Sequence, residues 1–282
     1  MADLDGKRVV ITGAASGLGR SLALVLARKG CRIGIVDIDT EGATETLEMV
    51  VRSGGSGETY ELDVRVAIDA GAMADHFFKT WGGVDLLVNN AGVGMGGFVG
   101  NIPLEDWEWL ISINFWGMVY GCHSFIPRMR AQGSGHILNV ASAMGITSMG
   151  EMAPYNTSKA AIISLSETLY SELAPDSIGV TVLCPMFFKT NLMDNSRFET
   201  ELERDIADAA FNCSRMSSGE VAEAAVRAVE KGRLYCVPQL SGKMHWIMKR
   251  INPHLYYRQL AFLARRGWLH PLQLWMARKG LV

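Results

Sequence analysis

Short runs rich in β-branched residues alternate with longer amphipathic segments over most of the chain. The short runs have the length and composition of buried strands, and the longer segments carry apolar residues at helical spacing. The predicted strands cover residues 8–12, 32–36, 57–62, 84–88, 136–141, 179–184 and 234–237. The predicted helices cover residues 17–29, 40–52, 66–81, 104–130 with a break near Ser112, 153–173 and 218–230. This alternation predicts an α/β fold, a doubly wound parallel sheet whose ligands bind beyond the carboxyl ends of the strands.

Charge is distributed unevenly along the chain. The formal net charge is only −2, yet residues 231–282 contain ten Lys or Arg and no Asp or Glu, whereas residues 1–230 contain 17 basic and 29 acidic side chains. Hydrophobic residues make up 49%, which excludes a disordered chain, and no apolar run reaches the ~18 residues of a membrane-spanning helix. We therefore predict a core at residues 1–239 and a basic, amphipathic helical extension at residues 240–282.

Neither the N-terminus nor the cysteines indicate secretion. The start of the chain, MADLDGKRVVITG, lacks a basic segment followed by an apolar one. The five cysteines, Cys31, Cys122, Cys184, Cys213 and Cys236, are odd in number, far apart and set among apolar neighbours. This pattern predicts buried thiols in a reducing compartment rather than disulfides or a metal site. The expected location is the cytoplasm.

A glycine-rich turn, TGAASGLG at 12–19, joins the first predicted strand to the first helix. Its glycines allow a tight turn, close approach of the backbone to a pyrophosphate and close packing of the helix on the strand. The helix N-terminus also offers free N–H groups to phosphate. The alternative is an ordinary glycine-rich turn between strand and helix. The motif therefore indicates a dinucleotide site that includes Gly13, Ser16, Gly17, Leu18 and Gly19.

The acidic residue Asp37, at the end of the second predicted strand, bears on which dinucleotide binds. A carboxylate here accepts hydrogen bonds from both adenosine ribose hydroxyls and repels a 2′-phosphate. Ser16 and Ile38 provide no cation for such a phosphate, although Arg20, on the following helix, can in principle reach one. We therefore expect NAD in preference to NADP. The alternative for Asp37 is a solvated carboxylate at a strand end.

Four polar residues have side chains suited to proton transfer. Tyr155 and Lys159 lie four residues apart on a predicted helix and therefore share a face. A nearby ammonium, together with the positive nicotinamide of NAD, favours the phenolate and lowers a tyrosine pKa from its usual value near ~10. Ser142 follows the fifth strand, and Asn114 lies near the predicted helix break. Singly these residues can be surface or capping residues, but together they predict a catalytic centre.

At this point the chain resembles the short-chain dehydrogenase/reductase family, over about residues 5–237. The resemblance rests on TGAASGLG at 12–19, NNAG at 89–92, Asn114, Ser142 and YNTSK at 155–159. It implies a Rossmann-type sheet of about seven strands, a nicotinamide dinucleotide, and interconversion of alcohol and carbonyl. It also implies that Tyr155 is the general acid–base and that Lys159 binds the nicotinamide ribose and tunes the tyrosine. By the same resemblance Ser142 orients the carbonyl and Asn114 holds a water in a proton relay.

Further cofactor contacts follow from the resemblance. Thr190, in PMFFKT at 185–190, is expected to touch the nicotinamide carboxamide. The other predicted cofactor residues are Ile38, Asp63, Val64, Asn90, Ala91, Gly92, Pro185 and Phe188. One position departs from the family pattern, because Met186 stands where a glycine usually follows the proline. This predicts a bulkier and more apolar pocket wall.

The substrate is predicted from the residues near Ser142 and from residues 187–216, which we expect to cover the pocket. Both are rich in methionine and phenylalanine, which suits an apolar and adaptable pocket, although ordinary packing is the alternative. The candidate pocket residues are Met144, Met186, Phe187 and Met193. The expected substrate is a bulky lipophilic secondary alcohol or ketone, such as a steroid, terpenoid, aryl or long-chain molecule. Reduction of an acyl thioester and an NAD-binding scaffold tethered to a membrane are the alternatives.

The extension mixes tryptophans with cations and is expected to be broken by Pro253 and Pro271. Short helices with Lys or Arg on one side and Trp, Leu and Phe on the other suit an anionic membrane surface, which would make the protein peripheral there. Two other roles are open: covering a pocket of the same or a partner subunit, and forming a subunit interface. The resemblance implies a homodimer or homotetramer with the Tyr155 helix at an interface. Nucleic-acid binding is not expected.

Overall fold

Residues 3–281 are described by a computed structural model, apart from the side chains of Asn191 and Asp194. The strands are β1 (Arg8–Thr12), β2 (Arg32–Asp37), β3 (Ser56–Glu61), β4 (Leu86–Asn89), β5 (Met95–Gly96), β6 (Gly135–Val140), β7 (Ile178–Leu183), β8 (Arg197–Phe198) and β9 (Tyr235–Cys236). The α-helices of the core are α1 (Gly17–Ala27), α2 (Thr40–Arg52), α3 (Ala67–Trp81), α4 (Leu104–Ile111), α5 (Gly117–Gln132), α6 (Ala143–Thr147), α7 (Ala153–Glu172), α8 (Glu201–Asn212) and α9 (Ser218–Glu230). The extension forms α10 (Leu240–Ile251), α11 (Pro253–Arg265) and α12 (Leu269–Arg278).

The main sheet confirms the predicted doubly wound, Rossmann-type architecture. Its seven strands are all parallel and lie in the order β3-β2-β1-β4-β6-β7-β9. The order reverses between β1 and β4, so the loops that follow these two strands diverge and leave a crevice at the carboxyl edge. A second, two-stranded sheet pairs β5 with β8, and the sequence did not predict it.

The core lies on both faces of the main sheet because successive strand residues point in opposite directions. On β1, Val9 and Ile11 are buried against α1 and α9, whereas Val10 is buried on the opposite face with α3 and α5. Strands covered on both faces read as continuous apolar runs, which is why they were recognisable in the sequence.

Of the expected helix interruptions, the one near Ser112 is at the right place and the one at Pro271 is wrong. The α-helix α4 ends at Ile111, and a single π-helical turn at Ser112–Trp116 connects it to α5, so the helical path continues. In the extension the chain bends before Pro253, the first residue of α11, but Pro271 interrupts nothing. It lies in the first turn of α12, where the missing N–H of proline is tolerated, and the preceding bend is at Gly267, with φ +68°.

Four of the five cysteines are buried, as predicted, but Cys213 is exposed. It follows α8, a surface helix that buries only Ala210. Over residues 3–281 no helix has both the length and the apolar character needed to cross a membrane. Nor does this part of the chain bring together three or more His, Cys, Asp or Glu side chains that could hold a metal ion.

Candidate active site

A cavity of about 850 Å³ lies at the carboxyl edge of the main sheet. The loops after β1, β2, β4, β6 and β7 form one side of it, and residues from 187 to 211 and from the extension form the other. Every predicted site residue lines this cavity except Gly19 and Asn114. The predicted residues that line it are Gly13, Ser16, Gly17, Leu18, Asp37, Ile38, Asp63, Val64, Asn90, Ala91, Gly92, Ser142, Met144, Tyr155, Lys159, Pro185, Met186, Phe187, Phe188, Thr190 and Met193.

The turn between β1 and α1 has the geometry of a phosphate cradle. Gly13 and Gly17 have φ values of +67° and +54°, a left-handed region that favours glycine. The Ser16 side chain caps no N–H of α1, so the first turn of the helix keeps unbonded donors beside the cavity. A Cβ at Gly19 would lie 2.1 Å from the Gly13 carbonyl oxygen, so Gly19 permits close packing rather than lining the site.

The carboxylate of Asp37 is held in place by the backbone beside this turn. It accepts hydrogen bonds from the N–H groups of Ala15, at 2.9 Å, and Asp39, at 3.1 Å. Arg20 does not offer a free cation here. Its guanidinium donates to Thr46 Oγ1 at 2.8 Å, to the Ala15 and Gly42 carbonyls and to Glu45.

A second cation, Arg65, lines the same end of the cavity and is likewise engaged. Its guanidinium is paired with the carboxylate of Asp63 at 2.6 Å. This interaction holds the pKa of the Asp63 carboxyl below its usual range. The two arginines nearest to the position of a 2′-phosphate, Arg20 and Arg65, are therefore both bound to acidic partners.

The loop after β4 braces the glycine-rich turn. Asn90 Nδ2 donates to the carbonyls of Thr12, at 3.0 Å, and Gly13, at 2.9 Å. Thr12 Oγ1 in return accepts the Asn90 backbone N–H at 3.1 Å. A Cβ at Gly13 would lie 2.7 Å from Ala91 Cα, which shows how closely the two loops approach. The NNAG segment thus positions the turn as well as lining the cavity.

The polar centre of the cavity combines three side chains from two elements. Tyr155 and Lys159 project from α7, with Lys159 Nζ 5.7 Å from the Tyr155 ring centroid. Lys159 Nζ donates to the Val140 carbonyl at 3.0 Å, which anchors the ammonium at the end of β6. Ser142, the N-cap of α6, accepts the Met144 N–H at 3.1 Å and donates a long 3.4 Å bond to the Pro185 carbonyl, so its hydroxyl proton can turn to another acceptor.

Burial sets the protonation of this centre. It raises the pKa of Tyr155, and the neighbouring Ser142 hydroxyl opposes this shift by favouring the phenolate. Burial also lowers the pKa of Lys159 to about 8, because a charged amine is disfavoured where water is excluded. At pH 7 Lys159 is therefore still mainly an ammonium. Tyr155 is a neutral phenol at this pH, and a nearby positive charge is needed to stabilise the phenolate that forms when it loses its proton.

Asn114 supports the centre from outside the cavity. It is fully buried in the π-helical turn, where Oδ1 accepts the Val93 N–H at 2.8 Å and Nδ2 donates to the Val93 carbonyl at 2.9 Å. A Cβ at Gly92 would lie 3.1 Å from Asn114 Oδ1 and 3.4 Å from Lys159 Nζ. The Asn114 amide also donates to Ser158 Oγ of α7 at 3.3 Å, so it ties the loop after β4 to α7. The expected role in holding a water stays a prediction.

The departure at Met186 is accommodated by the extension. Met186 is buried, and its Cγ lies 3.0 Å from the position of a Cβ on Gly242, at the start of α10. Its backbone N–H is bound by Gln239 Oε1 at 3.0 Å. On the same segment, Thr190 Oγ1 lies 2.7 Å from the position of a Cβ on Gly17, so Thr190 reaches the phosphate turn.

The remainder of the cavity is mostly apolar. Methionines 144, 149, 152 and 186 pack together with Tyr155 and Phe187. The sequence left three roles open for the extension, and in the structure it forms one wall of the cavity. The lining residues are Leu260, Leu263, Leu269, Leu272, Gln273, Met276 and Ala277. Helix α12 packs on α8 to complete it. The structure thus places the extension over this chain's own pocket.

Two acidic residues interrupt the apolar wall. Glu151, with φ +62°, pairs with His270 of α12 at 2.8 Å and so ties the extension to the loop before α7. Glu203 completes the N-terminal cap of α8, and its Oε1 is buried with no hydrogen-bond partner within the described residues. Burial raises the pKa of this carboxyl.

Sequence reasoning missed one glycine that supports the centre. Gly145 of α6 packs against the backbone of α7, and a Cβ there would lie 2.6 Å from the Lys159 carbonyl carbon. The contact that ties down the extension, between Glu151 and His270, was also missed. No local sequence pattern predicts the packing of Gly145 or the contact between Glu151 and His270, because each depends on segments that are distant in sequence.

Comparison with known proteins agrees with this geometry. A family model described as short chain dehydrogenase matches residues 7–201. SadH of Mycobacterium tuberculosis, which carries the name of an oxidoreductase, is 32% identical over 265 residues, 93% of this chain and 96% of its own. D-threitol dehydrogenase of Mycolicibacterium smegmatis is 33% identical over 189 residues, 67% of this chain and 73% of its own. A short-chain dehydrogenase/reductase from Burkholderia phymatum, solved in complex with NAD, superimposes with a TM-score of 0.86 at 31% identity, covering 90% of this chain and 96% of its own.

The fold, the site and these similarities define the class of protein. The chain belongs to the short-chain dehydrogenase/reductase family and is an oxidoreductase.

Proposed function

We propose that the protein interconverts a bulky lipophilic secondary alcohol and the corresponding ketone, with NAD as hydride carrier. The observation that carries this proposal is the position of Ser142, Tyr155 and Lys159 between a phosphate-binding turn and a large apolar cavity. Hydride transfer to a carbonyl needs a proton donor at the oxygen, and these three side chains supply one.

The residues divide the work of proton transfer. The Ser142 hydroxyl hydrogen-bonds the substrate oxygen and holds it beside the Tyr155 phenol. Tyr155 takes the hydroxyl proton during alcohol oxidation and returns it during ketone reduction. The ammonium of Lys159 stabilises the phenolate formed in the first direction. Bound in this site, NAD supplies the hydride acceptor, and the unbonded N–H groups of α1 hold its pyrophosphate.

The preference for NAD over NADP rests on Asp37 and on the two engaged arginines. Asp37 presents a fixed carboxylate to the adenosine ribose, while Arg20 and Arg65 are held by Glu45 and Asp63. The Burkholderia phymatum relative was solved with NAD, which supports the same choice.

A small polyol is the second candidate substrate, because D-threitol dehydrogenase is among the relatives. The pocket favours the lipophilic class. A polyol needs several hydrogen-bond partners, and a site without them leaves its hydroxyls unpaired. The wall formed by the methionines and by Leu260, Leu263 and Leu272 provides none, and the extension adds one amide, that of Gln273. The acidic residues of the wall are Glu151, which is paired with His270, and Glu203, whose Oε1 is buried with no partner within the described residues.

A substrate panel tests the proposal. NADH formation is measured with aryl, long-chain and steroidal secondary alcohols and with threitol, and we expect at least one bulky alcohol to exceed threitol at least tenfold in kcat/KM. Highest kcat/KM on threitol would refute the lipophilic assignment. Tyr155→Phe is expected to lower kcat by about 10²–10⁴-fold with NAD binding unchanged. Tyr170→Phe, the same substitution on an exposed part of α7, is the matched control.

A further inference from the structure

The three helices of the extension have two different faces. The inner face of α10 consists of residues 242, 245, 246 and 249, at helical spacing. It meets Met186 through Gly242, the ring of Tyr235 through Trp246 and the Ile146 carbonyl through Lys249. His245 Nδ1 lies 3.1 Å from the Tyr256 hydroxyl of α11, within hydrogen-bond distance. These contacts account for the inner side chains and leave the opposite side of the helix uncovered.

The outer face of α10 is apolar and exposed. Its exposed large side chains follow the helical spacing i, i+4, i+7, i+8 and i+11, and are Leu240, Met244, Ile247, Met248 and Ile251. The residues after α10 also expose large apolar side chains, namely Leu255, Phe262, Trp268, Leu272, Trp275 and Leu281. Together with the five of α10 they are called the outer face of α10–α12 below. Eleven of the 21 exposed large apolar side chains in the described residues belong to residues 240–281, so the exposure is concentrated in the extension. Concentrated apolar exposure of this kind marks a binding surface.

The charge on the same helices is of one sign. Residues 240–282 contain eight Lys or Arg and no Asp or Glu, in a chain whose first 230 residues are acidic overall. Arg258, Arg265, Arg266 and Arg278 are exposed beside the outer apolar residues. Tryptophans accompany them, with Trp268 and Trp275 more than half exposed. Cations with exposed Trp, Phe and Leu are the composition of helices that lie in an anionic lipid interface.

The rim of the cavity joins this outer face. Leu272 lines the cavity and is also exposed, and it lies four residues after Trp268 and three before Trp275 on α12. An apolar path therefore runs from the outer face into the pocket. A symmetric contact with a second copy would set this cationic face against itself, which is unfavourable, whereas an anionic bilayer complements it.

We propose that the outer face of α10–α12 docks on an anionic membrane surface, with its apolar side chains in the interface and its cations against the lipid headgroups. The docking itself is independent of the reaction. If the proposed function also holds, the pocket mouth faces the phase in which a lipophilic substrate is dissolved.

Co-sedimentation of the full-length protein with vesicles tests the proposal. One set of vesicles is phosphatidylcholine alone and the other also contains phosphatidylglycerol. We expect binding to the anionic vesicles that weakens as salt is raised, and at least tenfold weaker binding to phosphatidylcholine. Absence of binding to anionic vesicles, or equal binding to both sets, overturns the proposal.

Matched variants locate the surface. Ile251→Glu, 79% exposed on α10, should weaken vesicle binding at least tenfold, whereas Ile68→Glu, 80% exposed on α3, should leave it unchanged. Removing two headgroup-facing cations, in Arg265→Gln with Arg266→Gln, should weaken binding on the order of tenfold or more. Equal effects of Ile251→Glu and Ile68→Glu would overturn the assignment to this face.

Two further measurements separate the proposal from its rivals. Sedimentation velocity tests self-association. If the protein forms an oligomer that Ile251→Glu dissociates, and the protein does not bind vesicles, the face is a subunit interface and membrane docking is overturned. Turnover of a water-soluble alcohol in the absence of vesicles should be the same for Ile251→Glu and the unsubstituted protein. Loss of vesicle binding with this turnover intact identifies a surface effect, distinct from any failure of the proposed reaction.

Discussion

Replacing Asp37 by asparagine should narrow the preference for NAD over NADP. The carboxylate is fixed by the N–H groups of Ala15 and Asp39, so it meets the ribose hydroxyls without reorganising. Hydrogen bonds to a charged group contribute about 1.5–3 kcal/mol and neutral ones about 1 kcal/mol. Loss of charge from two such bonds therefore costs about 2 kcal/mol, or roughly 30-fold in kcat/KM with NAD.

The same substitution should improve use of NADP. Two unit charges at about 4 Å repel by about 1 kcal/mol in water and about 4 kcal/mol near a protein surface. Asp37 is partly exposed, so removing its charge should raise kcat/KM with NADP by roughly tenfold, at about 1.4 kcal/mol. The ratio of the two kcat/KM values should then fall on the order of 300-fold.

Initial rates with each dinucleotide, at a saturating concentration of one alcohol, measure this ratio. Asp39→Asn is the matched control, because Asp39 also lines the cavity but its side chain accepts the N–H of Gly42 as the cap of α2. It should change the ratio less than threefold. A ratio in Asp37→Asn within about fivefold of that of the unsubstituted protein would refute the reasoning, as would an equal change in Asp39→Asn. Thermal unfolding of both variants checks that the fold is retained.

Three further perturbations test the packing around the site. Gly145→Ala should lower both Tm and kcat, because the new Cβ meets the backbone of α7 at 2.6 Å. The control Gly150→Ala, whose new Cβ has no atom within 4 Å, should change neither. Equal Tm values for the two variants would contradict the close packing. Burial lowers the pKa of His136 to about 4, so the unfolded chain takes up a proton first as pH falls below 6.5. Urea unfolding should therefore show a loss of about 3 kcal/mol between pH 7 and pH 4 that is absent in His136→Gln, and the same loss in that variant would contradict the assignment. His270→Ala removes the contact with Glu151 and should raise KM for a bulky alcohol several-fold. The kcat for a small alcohol should change less than twofold. An unchanged KM for the bulky alcohol would show that the contact does not hold the pocket wall.

The elements of the main sheet were predictable because their signals are local. A parallel strand covered on both faces is a continuous apolar run, and a helix on the sheet has apolar residues at a period near four. The boundaries and interruptions were less predictable. The π-helical turn around Asn114 has no local signature, and Pro271 proved compatible with the first turn of α12.

The candidate site was predictable where its residues are defined by spacing along the chain. Gly13 and Gly17 belong to the turn between β1 and α1, and Asp37 is the last residue of β2. Tyr155 and Lys159 are one helical turn apart, and all five residues reach the same edge of the sheet. The state of the neighbouring arginines was not predictable. Whether Arg20 is free depends on Glu45 and Thr46 of a different helix, and only the packed structure brings these groups together.

The sequence by itself therefore determined the fold, the dinucleotide turn and the residues of the polar centre, Ser142, Tyr155 and Lys159. Each of these depends on residue type and short-range spacing. The tertiary structure decided what surrounds that centre. It placed α12 across the cavity, tied it to Glu151 through His270 and left the outer face of α10 uncovered. The physical reason is that an amphipathic helix specifies which side is apolar, whereas the partner of that side depends on which distant surfaces complement it in shape and charge.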